Sequence, residues 1–126
     1  MINKYHVSPK DARTYDGIVF DSKAEMHYYR DVVLPGLESG DIVSCERQKV
    51  YELQPKYINK AGNTVRAIKY VCDFYLVYRD EMTEVIDIKG MATTEALLKR
   101  KIFEYKYPNE NLRWLCERAH GWKDYK

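Results

Sequence analysis

The chain has 126 residues, 45% of them hydrophobic and 32% charged, with a formal net charge of +2. This length suits one compact domain with one core, and the balance of apolar to charged residues excludes a disordered chain. The small net charge excludes a uniformly polybasic protein, so any surface for nucleic acid must come from uneven distribution.

Residues 1–16 read as a basic arm, with Lys4, Lys10 and Arg13 and few apolar side chains, and residues 17–126 as a single domain. Asp16-Gly17 signals a turn ahead of the short apolar run Ile18-Val19-Phe20. A first helix is predicted over 23–37, capped by Asp21 or Ser22. Ser22 and Glu25 have capping-box spacing, in which the Glu25 carboxylate reaches back to a free backbone N–H. Pro35 and Gly40 mark its end, with Pro35 placed to kink the last turn.

An extended segment follows over 42–53, then turn residues from Pro55 to Asn63. Two strands are expected over 65–78 and 83–89, joined by a hairpin loop at Arg79-Asp80-Glu81. A second helix is expected over 94–105, capped by Thr93, with Leu98, Ile102 and Tyr105 as its core stripe. A last strand over 112–116 gives the order α-β-β-β-α-β, an α/β sandwich around a mixed sheet flanked by helices.

Strand alternation carries the chemistry. Val85, Asp87 and Lys89 share one face of the second strand, and Glu84, Ile86 and Ile88 the other. With a three-residue loop, Tyr78 pairs with Met82 and Asp73 falls opposite Asp87. A two-residue loop would face them apart. Asp is disfavoured inside strands, yet Asp73 and Asp87 each interrupt an apolar run. Two carboxylates that close need a proton or a cation between them. Mg²⁺, a hard cation that prefers oxygen, suits the pair, and Mn²⁺ meets the same demands. Such an ion polarises a phosphate and activates a bound water, and Lys89 is placed to stabilise charge in phosphodiester hydrolysis. The competing reading of Asp-Ile-Lys on a strand is an exposed ion pair.

Asp73 and Asp87-Ile88-Lys89 on neighbouring strands, in the order α-β-β-β-α-β, resemble the PD-(D/E)XK nuclease superfamily, with Cys72 in place of the superfamily's proline. The runs Asp16 to Glu25, Leu53 to Tyr57, Asp87 to Gly90 and Phe103 to Pro108 are similar to a family of small phage-borne endonucleases, some of them like Holliday-junction resolvases. The resemblance implies a restriction-endonuclease-like core and a Mg²⁺-dependent endonuclease acting on DNA, branched or duplex, in phage recombination or replication. Its alternatives are a nonspecific or nicking nuclease and an inactive DNA-binding or assembly protein. It implies a third metal ligand at Glu25, where helix capping is the rival role. It also implies a polar active-site residue at Gln48, which otherwise reads as a solvated strand position. Symmetric cutting of a junction would require two sites and hence a homodimer.

Lys99, Arg100, Lys101 and Lys106 lie off the expected helix stripe, and with Lys4, Lys10 and Arg13 they are candidates for phosphate contact. The tail residues Arg118, His120, Lys123 and Lys126 are further candidates. A solvated helix face is the alternative. Cys45, Cys72 and Cys116 are odd in number and widely spaced, so free thiols are expected and a zinc ribbon is not. No stretch approaches the ~20 apolar residues of a membrane helix. The first residues lack the apolar run of a signal peptide. The expectation is a cytoplasmic protein without membrane contact.

Overall fold

The computed structural model describes residues 8–125, so the candidates Lys4 and Lys126 fall outside the described residues. The fold is mixed α/β. A 3₁₀ turn at Lys10–Arg13 leads into a small hairpin of β1 (Thr14–Tyr15) and β2 (Ile18–Val19), whose turn uses left-handed Asp16 and Gly17. The described part of the arm is therefore folded. Arg13 donates to the carbonyls of Ser8 and Phe20 and ties the arm to the domain.

The first helix is one rod in three parts: α1 (Lys23–Tyr28), a π turn (Tyr29–Val33) and α2 (Leu34–Ser39). Ser22 caps it, accepting from the Glu25 N–H at 3.0 Å. The π turn lies immediately before Pro35, and there the Leu34 N–H reaches back five residues to the Tyr29 carbonyl. Proline has no N–H to continue the ordinary ladder and crowds the preceding turn, so a wider turn at this point keeps the helix running. Left-handed Gly40 (φ 86°) ends it.

The main sheet has five strands in the order β11-β10-β9-β8-β3, comprising β3 (Ile42–Arg47), β8 (Phe74–Tyr78), β9 (Thr83–Ile88), β10 (Leu112–Arg118) and β11 (Gly121–Asp124). Only β9 and β10 are parallel. Helix α3 (Thr94–Lys106) crosses between them, capped by Thr93 Oγ1 accepting from the Ala96 N–H. The edge strand β11 was not expected. Its residues, including Lys123, had read as a tail.

The long strand expected over 65–78 is broken. β6 (Thr64–Val65) pairs with β5 (Tyr57–Ile58), β7 (Ile68–Val71) pairs with β4 (Val50–Gln54), and only β8 joins the main sheet. The pairings Arg47↔Phe74 and Val50↔Val71 share one register. β3–β4 and β7–β8 therefore form a single antiparallel ribbon, bent where Gln48 faces Asp73. Gln48 adopts a left-handed φ of 55° there, and its N–H donates to the Asp73 carbonyl at 3.2 Å.

Alternation along β9 divides the core. Ile86 joins Phe20, Met26, Val33, Phe74, Leu76 and Leu115 on the side of the first helix. Val85 joins Tyr51, Leu53, Tyr70, Cys72 and Phe103 on the side of α3. The expected stripe on α3 is corrected. Phe103 is fully buried, whereas Leu98 is 57% and Tyr105 89% exposed. α3 packs chiefly on the narrow β4–β7 ribbon, through Phe103 against Tyr51 and Tyr70, with Ile102 partly buried beside it. Phe103 is the one fully buried side chain of that contact, and Leu97, Leu98 and Tyr105 remain exposed.

Candidate metal centre

The hairpin register is Phe74↔Ile86 through Val77↔Thr83, and the Tyr78 N–H donates to the Met82 carbonyl. This is the three-residue loop, and it sets Asp73 opposite Asp87. Asp73 stands at the ribbon's bend, where the chain passes from β7 to β8. Its backbone N–H donates to Asp87 Oδ1 at 2.9 Å, and its Oδ2 accepts from the Ile88 N–H at 2.8 Å. The Asp73 side chain is thus held across the end of β9.

Asp87 is 2% exposed. Its second oxygen accepts from the Tyr70 hydroxyl, which itself accepts from the Trp114 indole N–H at 2.8 Å. The carboxylate is hydrogen-bonded on both oxygens, and burial still pushes its pKa up.

Glu25 is also 2% exposed. From the first turn of α1 it meets Arg47 Nη2 of β3 at 3.5 Å. Exposed Asp21, four residues earlier, accepts from Gln48 Nε2 at 3.4 Å. Oxygens of Asp21, Glu25 and Asp73 lie within 4.8 Å of one another. Burial first, then the Asp21 charge, raises the Glu25 pKa to about 7. Burial, then Glu25 and Asp87, raises Asp73 to about 8, with Lys89 acting in the opposite direction.

Three carboxylates gathered this closely are electrostatically costly when all are charged, and a divalent cation removes that cost. The donor set fits a hard ion, since every candidate ligand is oxygen. Oxygens about 2.1 Å from one Mg²⁺ are at most about 4.2 Å apart, so the three would close by a fraction of an ångström.

The structure thus brings Glu25 and Asp73 together, with Gln48 at the rim through Asp21. It does not bring Asp87 into the three-acid cluster, because that carboxylate turns towards Tyr70 and the Asp73 N–H. Asp21 was missed as a candidate, having read as a helix cap. Its signal was the four-residue spacing to Glu25, which places two acids on one side of a helix start. Lys89 lies over the Trp114 ring at 4.7 Å and favours the ionised forms of Asp73 and Asp87. Glu84, excluded from the site by strand parity, bonds Tyr78 and Arg113 instead.

The helix cations are more engaged than the sequence implied. Arg100 stacks on Trp114 at 4.1 Å, Lys99 pairs with Glu95 and Lys106 donates to the Leu53 carbonyl, while Lys101 is exposed. All three cysteines are free. Among the described residues no helix is long and apolar enough to cross a membrane.

One family model, described as Protein of unknown function (DUF1064), matches residues 3–123. No curated protein and no solved structure matches the chain.

Proposed function

The chain belongs to the DUF1064 family, and from the centre described above we propose that it is a metal-dependent endonuclease that hydrolyses phosphodiester bonds in DNA. The observation that carries this reading is the meeting of Asp21, Glu25 and Asp73 oxygens within 4.8 Å, with Glu25 almost wholly buried. Two features support it. The elements supplying the site, taken as α1, β3, β8, β9, α3 and β10, run α-β-β-β-α-β, the order of the PD-(D/E)XK core. Lys89 stands two residues after Asp87, just past the end of β9, with the spacing of that motif.

Asp21, Glu25 and Asp73 would hold a Mg²⁺ or Mn²⁺ ion, which when bound supplies a polarised phosphate oxygen and an activated water. The residues of the chain do the rest. Asp87 fixes Asp73 from behind through its backbone N–H, and Tyr70 and Trp114 fix Asp87. Attack of water on phosphorus forms one P–O bond and breaks another, and negative charge builds on the phosphate oxygens between. Lys89 and Arg47 are the cations beside the acids that meet this charge. Arg47 has capacity to spare, because its buried Nε–H lacks a partner and its ion pair with Glu25 is long.

The test is incubation of a four-way junction, a linear duplex and a supercoiled plasmid with the protein in EDTA, Mg²⁺ and Mn²⁺. Cleavage is expected only with the divalent ions, with the junction preferred, and it should vanish in Asp73→Asn. Absence of cleavage on every substrate, or cleavage indifferent to EDTA and to Asp73→Asn, refutes the proposal. Preference for the junction would also call for a two-fold dimer, checked by sedimentation.

A further inference from the structure

The charge of this protein is concentrated on a part of the fold that the candidate centre does not include. Residues 49–71, the outer half of the bent ribbon, contain five of the 21 Lys and Arg residues but only one of the 19 Asp and Glu residues. The rest of the chain therefore has 16 cations against 18 acids and is net acidic. Lys56, Lys60, Arg66 and Lys69 are exposed, and among the described residues none of them forms an ion pair. The single acid, Glu52, lies across from Lys69 in the ribbon register. The fifth cation, Lys49, is stacked over Tyr75 at 3.6 Å at the ribbon's base.

Shape reinforces the charge. β4 and β7 form a two-stranded ribbon that starts at the Gln48–Asp73 bend, and its tip is the β5–β6 hairpin. At ~3.3 Å per residue, Lys69 stands ~13 Å along the strand from Asp73. The tip exposes Ile58 (71%) and Tyr57 (47%), apolar surface that a free hairpin in water has no reason to retain. The major groove of B-form DNA is ~12 Å wide and admits a two-stranded ribbon. The A-form groove of duplex RNA is deep, narrow and closed to side chains.

We propose that the β4–β7 ribbon and its β5–β6 tip form the surface that binds duplex DNA. Lys56, Lys60, Arg66 and Lys69 contact phosphates, and Tyr57 and Ile58 lie against the groove. The bend then delivers the strand to Asp73. That this DNA is also the substrate rests on the nuclease reading. Binding by the ribbon does not.

The experiment is fluorescence anisotropy with a labelled ~30-base-pair duplex, in EDTA so that no cleavage intervenes. The variant carries Lys56→Ala, Lys60→Ala, Arg66→Ala and Lys69→Ala. The control removes three surface charges elsewhere, by Lys23→Ala, Arg30→Ala and Arg79→Ala. Four phosphate contacts contribute a salt slope of about 3.6, so between 50 and 200 mM salt the wild type should lose about 150-fold more affinity than the ribbon variant. The control should retain most of the wild-type slope. Equal binding by wild type and ribbon variant, both with unchanged melts, overturns the proposal and leaves the nuclease reading standing. Ribbon-dependent binding with no metal-dependent cleavage upholds it and removes the nuclease reading. Equal competition by duplex RNA overturns the groove assignment.

Discussion

Replacing Glu25 with glutamine should stabilise the metal-free protein at pH 8 while abolishing its response to metal. Glu25 is buried beside Asp21 and Asp73, and its pKa rises from 4.5 to about 7. The sign follows from proton binding. Between these values the unfolded chain has released the Glu25 proton and the folded chain retains it. The Glu25 contribution to stability is therefore greatest below about pH 4.5 and falls as pH rises towards 7, by about 1.4 kcal/mol per pH unit. Across the window this is about 3 kcal/mol. Asp73, raised to about 8, extends the decline. Glutamine has no proton to lose, keeps the shape of the side chain, and relieves Asp73 as well. For a chain of this size about 3 kcal/mol corresponds to a Tm difference on the order of 10 °C. Thermal melts at pH 5 and pH 8 in EDTA, repeated with Mn²⁺, read the effect. The wild type should melt lower at pH 8 and recover with Mn²⁺, whereas Glu25→Gln should show a flatter pH profile and little gain from the ion. A Glu25→Gln protein with the wild-type pH profile, or one that gains as much from Mn²⁺, would refute the reasoning.

Lys89→Ala should reduce metal-dependent cleavage about 10²- to 10³-fold, the usual cost of one transition-state charge stabiliser, with Mn²⁺ stabilisation in melts retained. Loss of metal binding as well would assign Lys89 to the structure of the site. Tyr70→Phe removes the hydroxyl between Asp87 and Trp114 and should cost about 1–3 kcal/mol in urea unfolding, because it leaves a buried acceptor and a buried donor unpaired. An unchanged unfolding midpoint would contradict that network. Phe103→Ala should cost about 3–5 kcal/mol, whereas Leu98→Ala should cost little, since only Phe103 is buried on α3. Equal losses in the same unfolding measurement would restore the stripe expected from sequence.

The parts of this protein that are local in origin were legible in its sequence. Ser22 and Thr93 cap helices because a hydroxyl one residue before a helix meets free N–H groups whatever the rest of the chain does. The alternation Val85-Ile86-Asp87-Ile88 assigns faces because strand geometry has a period of two, and the loop length of the β8–β9 hairpin fixed Asp73 opposite Asp87. What required neighbours distant in sequence was not legible. Residues 65–78 are uniformly strand-forming, and nothing local says that the ribbon bends at Asp73 and changes sheets. On one side of that bend β3 and β8 extend the main sheet, and on the other β4 and β7 cover Phe103. Asp21 joined the acids only once the first helix was docked beside Arg47 and the bend. Leu98, Ile102 and Tyr105 have the spacing of a buried stripe, yet only Ile102 packs against the core, because burial depends on the breadth of what lies opposite and a two-stranded ribbon is narrow. Sequence alone set the direction of each side chain relative to its own backbone. The tertiary structure decided which of them meet, because that depends on the packing of whole elements.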